Sequence, residues 1–378
     1  MTTEVPGAAR TLLVVGHPNV VTHNQLVYVR LAERGWDLRV IVPNRWVDEY
    51  SPGGFTPQAV DGFVGTFARL RVARPGVYQR HFYLARPSQW LRRWRPAAVF
   101  LEQEPFSIPA LQWGSACRRL RIPWGLQGDE NLDRPFPLPA RAIRAYTMAR
   151  ADFFAARSPT AAAMLKRWGA RAPISVVSHT IPEWTPFPRD ERPGDPFTIG
   201  FAGRLVEQKG IDDLTSAVRR LAFPARLLVV GDGPLRSRLE RADLGAGRLD
   251  LRTGLRSDEM PALYRQMDVL VLPSRTTRTW AEQFGKVLCE ALLCGTPVIG
   301  STSGEIPWVI GTTGGGLVFA EGDATALAAR LTQLHADPDA RRALAQRGYA
   351  GVERHFAPRA AARALDELIR AALAGGNV

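Results

Sequence analysis

Short runs rich in valine, isoleucine and leucine alternate with longer helix-patterned stretches along most of the chain, and the pattern occurs twice. In the first half Thr11–Val15, Leu38–Val42 and Ala97–Leu101 read as strands. Helices are predicted over Asn24–Arg34, ending near Gly35, and around Arg141–Arg150. In the second half the predicted strands are Thr198–Phe201, Arg226–Val230, Asp250–Thr253, Val269–Leu272, Pro297–Ile299 and Gly316–Phe319, with helices between them. Strands separated by helix-length segments demand parallel sheets with crossover helices. The expected fold is α/β, two Rossmann-like domains whose parallel sheets face each other across a cleft. In such sheets ligands collect at the carboxyl ends of the strands.

A stretch with prolines at 182, 186, 188, 193 and 196 separates the two halves. Proline fixes φ and removes a backbone donor, so 182–196 reads as an interdomain linker. This leaves 1–181 and 197–357 as the domains, and 378 residues is more than one core usually supports. At 46% apolar residues the chain is not mainly disordered. No apolar run approaches the roughly 20 residues of a membrane-spanning helix. Met1–Gly16 carries Glu4 and Pro6 and does not read as a secretory signal. Cys117, Cys289 and Cys294 have no metal-ligand spacing, which fits a reduced, cytoplasmic compartment.

The net charge of +13 resembles a nucleic-acid signature until it is divided. Residues 1–180 hold 24 basic and 12 acidic side chains; residues 181–378 hold 25 and 24. The excess therefore belongs to the first half. Only Lys166, Lys209 and Lys286 are lysines, so an arginine bias runs through the chain.

Several short motifs carry little. Gly285-Lys286 is followed by Val287, where a Walker loop needs Ser or Thr. Gly300-Ser-Thr-Ser-Gly304 has Thr302 where a nucleophile elbow needs Ser. Asp337-Pro-Asp339 has the Asp-x-Asp spacing of metal-dependent sugar transfer, but between two helices it reads as a turn and N-cap. Gly231-Asp-Gly233-Pro lacks the third glycine of a dinucleotide fingerprint. His179, beside the linker, reads as structural.

The chemistry gathers after the strand Val269–Leu272. A polar loop from Pro273 leads to a helix predicted from about Phe284 to Cys294, stopped by Gly295 and Pro297. The N–H groups of Phe284, Gly285 and Lys286 at its start, with the helix dipole, form an expected diphosphate site. Glu282 lies just before the helix and Glu290 two turns into it. Carboxylates so placed suit hydroxyl groups at the two ends of a nucleotide sugar. Gly203-Arg204 and Lys209-Gly210 follow the first strand of the second half, and these cations would stabilise a departing nucleoside diphosphate without metal.

The ordered series Gly203-Arg204-Leu with Lys209-Gly210, Gly231-Asp-Gly233-Pro-Leu, Tyr264 before Asp268-Val-Leu-Val-Leu-Pro273-Ser274, Glu282 and Glu290 with seven residues between, and Gly295-Thr-Pro-Val-Ile-Gly300 resembles glycosyltransferase family 4. The resemblance covers the second domain almost completely and the first mainly in layout. It implies the GT-B architecture and a retaining reaction, with 358–378 a C-terminal helix packing back on the first domain. It further implies that Arg204 and Lys209 hold the diphosphate and Glu282 the donor sugar, with Gly203, Gln283, Phe284, Gly285 and Lys286 around them. Glu290 would bind the ribose, and Gly254-Leu255 would frame the base. His17 and Asn19, with Glu104, Asp129, Glu130 and Asn131, form the expected acceptor side. Many relatives carry a histidine in a first-domain loop; the comparable stretch Leu126–Asn131 has none. Glu282-Gln-Phe-Gly-Lys followed by Ser303-Gly-Glu-Ile-Pro307 is similar to members that build bacterial cell-surface polysaccharides.

The expected activity is transfer of a hexosyl unit from a nucleoside-diphosphate sugar to a glycan or lipid-linked acceptor, with no cofactor and no metal. The basic first domain is expected to face the acceptor or an anionic membrane peripherally, with Trp90-Leu-Arg-Arg-Trp94-Arg95 as a candidate contact. Nucleic acid is not an expected partner. Two alternatives stand beside this reading: a sugar-nucleotide epimerase on the same fold, which would need no acceptor, and a non-enzymatic basic binding protein.

Overall fold

A computed structural model describes residues 10–48, 53–179, 181–184 and 196–375. The chain divides into two compact units, Met1–Thr180 with Pro358–Val378, and Ile181–Ala357. Most of the proline-rich stretch, 185–195, lies outside the described residues. Ile181, ahead of it, is already buried in the core of the second unit, and Trp184 packs there too.

The first unit holds β1 (Arg10–Val15), β2 (Trp36–Pro43), β3 (Thr66–Leu70), β4 (Val72–Ala73), β5 (Phe82–Tyr83), β6 (Ala98–Leu101), β7 (Trp124–Gly128), β8 (Phe153–Ala156) and β9 (Ile174–Val176). Seven of these form one parallel sheet in the order β3-β2-β1-β6-β7-β8-β9, while β4 and β5 pair as a small antiparallel ribbon. Its helices are α1 (Leu26–Ala32), α2 (Pro87–Trp94), α3 (Ile108–Leu120), α4 (Leu138–Met148) and α5 (Pro159–Arg167). Both sheet faces are covered, which is why β1 reads as a continuous apolar run. Leu12 and Val14 pack with α1, and Leu13 and Val15 with α3 and α5. Ser107 and Ser158 each accept a backbone N–H two residues into α3 and α5, ahead of a proline in the first turn.

The C-terminal helix, Pro358–Gly375, belongs to this unit. It buries Ala361, Ala362, Leu365, Leu368 and Ile369, a stripe at helical spacing, in the cluster that contains α1. Asp366 fixes its register. The buried carboxylate accepts from Trp36 Nε1 at 2.7 Å, Arg34 Nε at 2.8 Å and Arg370 Nε at 2.6 Å.

The second unit holds β10 (Phe197–Ala202), β11 (Ala225–Val230), β12 (Arg248–Arg252), β13 (Val269–Leu272), β14 (Val298–Ser301) and β15 (Gly316–Phe319). Its sheet is wholly parallel, in the order β12-β11-β10-β13-β14-β15. The helices are α6 (Ile211–Arg219), α7 (Arg236–Glu240), α8 (Met260–Tyr264), α9 (Lys286–Leu293), α10 (Ile306–Thr313), α11 (Ala324–Ala336) and α12 (Pro338–His355). Asp337 caps α12, its Oδ1 accepting from Ala340 N at 2.8 Å.

The sequence-predicted elements fall within a few residues of these. The first predicted helix starts later, at Leu26, because His17–Val20 and Thr22–Gln25 form two 3₁₀ turns. Trp90 and Trp94 stack edge to face at 4.8 Å and pack on the core of the first unit. They are not an exposed interfacial pair. Among the described residues no helix is long and apolar enough to cross a membrane.

Asp366→Ala removes an acceptor that three donors share. It should destabilise the protein by about 2–3 kcal/mol, read as a lower urea midpoint. Its three hydrogen-bonding donors hold the Asp366 carboxyl below the ordinary range despite burial. The contribution is thus complete above the unfolded-state value of about 3.9 and fades as pH falls through the lower folded-state value.

Candidate active site

In each sheet the strand order reverses beside the first strand of the unit, between β1 and β6 and between β10 and β13. Loops leaving the two strands on either side of such a reversal diverge and leave a crevice at the carboxyl edge.

In the second unit, the loop after β10 carries Gly203 and exposed Arg204, followed by Lys209 in a short 3₁₀ turn. Gly210 is left-handed at φ 68°, and a Cβ there would collide with the carbonyl oxygen of Pro273. This close approach draws the Lys209 turn against the loop after β13. Two bonds reinforce it: Arg275 N donates to Gln208 O at 2.9 Å, and the Arg275 guanidinium pairs with buried Asp213 at the start of α6. Gly231 and Gly233 also have positive φ and leave no room for side chains beside the Gly203 and Leu205 backbones. The glycines of Gly231-Asp-Gly233 thus serve loop packing.

Glu282 is the hub. It is 7% exposed, and its Oε2 accepts from Lys209 Nζ at 2.7 Å and from Ser274 Oγ at 2.7 Å. Lys209 Nζ also lies 5.0 Å from the centre of the Trp280 ring, a cation–π distance. The Glu282 carbonyl accepts from Glu305 N at 2.9 Å, with Gly304 passing too close to tolerate a Cβ. Ser301 Oγ, at the end of β14, donates to Ser274 O at 2.5 Å. The loops after β10, β13 and β14 therefore converge on one residue, the first two at its carboxylate and the third at its backbone.

The helix after Glu282 begins two residues later than the sequence predicts. Gly285, at φ 75°, is its N-cap and Lys286 its first residue. Its first-turn donors are thus those of Lys286 and Val287; Leu288 N bonds Gly285 O at 2.9 Å. Phe284 is buried, stacking edge-on with Phe356 at 5.2 Å, which fixes the helix start. Glu290 is no solvated surface residue. Its Oε2 accepts from buried Tyr264 Oη at 2.7 Å, and burial raises its carboxyl above the usual range. Gly254 turns at φ 69° after β12, and Leu255 packs in the cluster that holds Tyr264.

In the first unit, the loops after β1, β6 and β7 carry the other predicted residues. Glu102 is 2% exposed and receives Asn19 Nδ2 at 2.6 Å, Tyr28 Oη at 2.7 Å and the Arg157 guanidinium. Arg157 also binds Gln127 Oε1 and the carbonyls of Val177 and Ser178. Around this core His17 Nδ1 meets Gln103 Oε1 at 3.3 Å, and Glu104 Oε1 accepts from Asp129 N at 2.6 Å. Burial, with Asp129 nearby, raises the Glu104 carboxyl well above its ordinary value. Glu130 pairs with Arg134, and His179 Nε2 meets Asp129 Oδ1 at 3.0 Å. The His17 ring stacks on Trp46 at 5.1 Å, and burial, with His81 beside it, lowers the imidazole to about 3. It is neutral at physiological pH.

Residues 196–337 match the family model Glycosyl transferases group 1. Over these residues the second unit is similar to group 1 glycosyl transferases. The chain is 38% identical over 146 residues to 2-deoxystreptamine glucosyltransferase of Streptomyces kanamyceticus, 37% of this chain and 36% of the relative. It is 36% identical over 172 residues to a GDP-mannose-dependent phosphatidylinositol monomannoside mannosyltransferase of Mycolicibacterium smegmatis, 43% of this chain and 44% of the relative. Each match spans less than half the length of these relatives. Over the whole chain the fold is GT-B. Sucrose-phosphate synthase from Thermosynechococcus elongatus superposes with a TM-score of 0.68 at 18% identity, covering 97% of this chain and all of that one. Anabaena HepE in complex with UDP gives 0.69 at 17%, over 96% of this chain and all of that one. The GT-B fold expected from the sequence is thus found, and the likeness to glycosyl transferases extends over residues 196–337.

The second unit brings Lys209 and Glu282 into direct contact, joins Glu290 to Tyr264, and sets Gly203, Arg204, Gln283 and Lys286 on the loops and helix start around them. Ser274, the last residue of the Asp268–Ser274 run, belongs to the same cluster, and so does Trp280, which escapes a motif search because a tryptophan inside a polar loop carries no periodic signal. Gly210→Ala puts a Cβ where φ is positive and a carbonyl oxygen already sits. It should cost the second unit about 2 kcal/mol or more in thermal or urea unfolding. Gly254→Ala, with positive φ but open space around it, should cost less.

Proposed function

We propose that the protein is a retaining glycosyltransferase that moves a hexosyl unit from a nucleoside-diphosphate sugar to an acceptor hydroxyl. The acceptor is a lipid-linked or growing polysaccharide in cell-surface glycan synthesis. The observation that carries this reading is the Lys209–Glu282–Ser274 cluster at the strand-order reversal of the second unit. A carboxylate paired there with a lysine sets a hydrogen-bond acceptor for sugar hydroxyls beside a cation for phosphate. The relatives support the donor class: one is GDP-mannose-dependent, and HepE was crystallised with UDP and with UDP-glucose.

On this reading Arg204 and Lys209 neutralise the charge that grows on the leaving diphosphate, with the first-turn N–H groups of α9 beside them. Glu282 orients the donor sugar, and Glu290, pre-set by Tyr264, takes the ribose hydroxyls. The Gly254–Leu255 turn frames the base. The leaving phosphate oxygen accepts the acceptor's proton on the face from which it departs, so the anomeric configuration is kept and no protein base is needed. Arginine and lysine carry the electrostatic work, and no metal or cofactor enters the proposal. Acceptor binding falls to the first unit, around His17, Asn19, Glu104 and Asp129–Asn131. The protein works on the cytoplasmic side, peripheral to an anionic membrane.

Glu282→Ala should lower turnover by at least about 100-fold while leaving the unfolding transition nearly intact. Near-normal turnover in that variant overturns the assignment. A thermal-shift screen of UDP-, GDP- and ADP-sugars against free nucleotides identifies the donor, since a bound ligand raises the midpoint. Glu290→Ala should weaken the response to every nucleotide in that screen.

A further inference from the structure

The charge of the first unit is concentrated in one segment. Between Asp61 and Glu102 no acidic residue occurs, while arginines stand at 69, 71, 74, 80, 86, 92, 93 and 95. All eight are exposed, and among the described residues none pairs with a carboxylate. The same segment collects apolar exposure. Val64, Val77, Tyr78, Phe82 and Leu84 are 71%, 43%, 52%, 38% and 54% exposed. Among the described residues of the second unit, no large apolar side chain is exposed to this degree.

The β4–β5 ribbon explains the arrangement. Side chains alternate along a strand, so Phe82 and Leu84 point outward while Tyr83 between them is 1% exposed against Trp113. Gln112 on α3 clamps Tyr83 from both sides, accepting from its N–H at 3.0 Å and donating to its carbonyl at 2.7 Å. Leu84 N donates to Arg71 O at 2.9 Å, which sets that arginine directly beside the outward leucine. Arg74 and Arg80 lie on the connecting turn. The ribbon is thus a firmly anchored edge that carries exposed apolar side chains and, on the same short segment, the exposed Arg71, Arg74, Arg80 and Arg86, which pair with no carboxylate among the described residues.

We propose that this ribbon, Arg71–Arg86, is the surface by which the protein docks on an anionic lipid bilayer. Apolar side chains enter the interface while arginines meet headgroup phosphates, and the two contributions add. A soluble polyanion would use the arginines but gains little from Phe82 and Leu84. The inference locates the membrane contact assumed under the proposed function and moves it from the Trp90–Trp94 helix, whose tryptophans face the core. It does not depend on the transfer chemistry, so the Glu282 experiment and the lipid experiment can fail separately.

The test is co-sedimentation of the full chain with vesicles of phosphatidylcholine alone and of phosphatidylcholine with phosphatidylglycerol. Binding is expected only to the second. Phe82→Ser/Leu84→Ser should weaken it at least about tenfold with an unchanged unfolding midpoint, since both side chains point to solvent. Arg71→Gln/Arg74→Gln/Arg80→Gln should weaken it at least as much. The same charge loss on the second unit, Arg220→Gln/Arg248→Gln/Arg330→Gln, should leave binding unchanged. Equal binding to neutral vesicles, absence of binding to anionic ones, or anionic binding that survives in Phe82→Ser/Leu84→Ser would each overturn the proposal. The last outcome would reassign the arginines to a soluble polyanion.

Discussion

Right-handed crossovers between parallel strands are the constraint from which the rest follows. A chain that starts a sheet in the middle can add strands on one side only by keeping its helices on one face, and must change face to add on the other. Both sheets do this, with β2 and β3 on one side of β1 and β6 on the other, and with β11 and β12 on one side of β10 and β13 on the other. The chain can then hardly avoid a crevice at each reversal. All the candidate chemistry is built on loops that leave carboxyl ends of these sheets, and most of it on the strands that flank a reversal.

Each crevice is built around a buried carboxylate, and the two are treated differently. Glu102 is surrounded by donors from α1, the loop after β1 and the end of β8, and Arg157 is itself shared with Gln127 and two carbonyls. Such a network joins the ends of β1, β6, β7, β8 and β9. Removing one would leave a buried charge unpaired, which is why it acts as a keystone. Glu282 differs in the kind of cation it meets: its carboxylate accepts from a lysine, itself near the Trp280 ring, and from a serine. An arginine fork is held by several acceptors at once, whereas a lysine is a point charge on a flexible stem, able to turn from a carboxylate to a phosphate without rebuilding the loop.

The second unit was legible in the sequence because most of its strands are apolar runs of four to six residues with clear stops, and its site residues lie near them in the chain. The first unit was legible only in part. β7, Trp-Gly-Leu-Gln-Gly, carries two glycines that argue against a strand, yet Gly125 lies under the Phe153 ring and leaves no room for a Cβ. β8 ends in two alanines and β9 has three residues. The Glu102 network joins residues 55, 74 and 83 positions apart, and no local pattern announces a pairing of that span. The start of α9 was misread for another reason. Phe284 continues the apolar helical stripe, but its side chain is taken by Phe356 and Gly285 adopts a left-handed cap, so tertiary packing overrides the periodic signal.

The net charge shows how composition and position separate. Because the C-terminal helix returns to the first unit, residues 1–180 and 358–378 together carry 27 basic and 14 acidic side chains, while 181–357 carry 22 of each. The whole +13 thus lies on one unit. A general preference for arginine does not account for this, since it acts on both units and leaves the second neutral. What differs is where acidic residues are withheld. The second unit spends them freely, pairing Arg226 with Asp250, Arg275 with Asp213 and Arg236 with Glu240. Between Asp61 and Glu102 none is used, and among the described residues the eight arginines there pair with no carboxylate, while Val64, Val77, Tyr78, Phe82 and Leu84 of the same segment are exposed. Like charges so close repel one another and lower the stability of the free protein. A surface that carries such a cost and also leaves Phe82 and Leu84 in water is stabilised by meeting a partner that is both anionic and apolar, and a lipid bilayer is both.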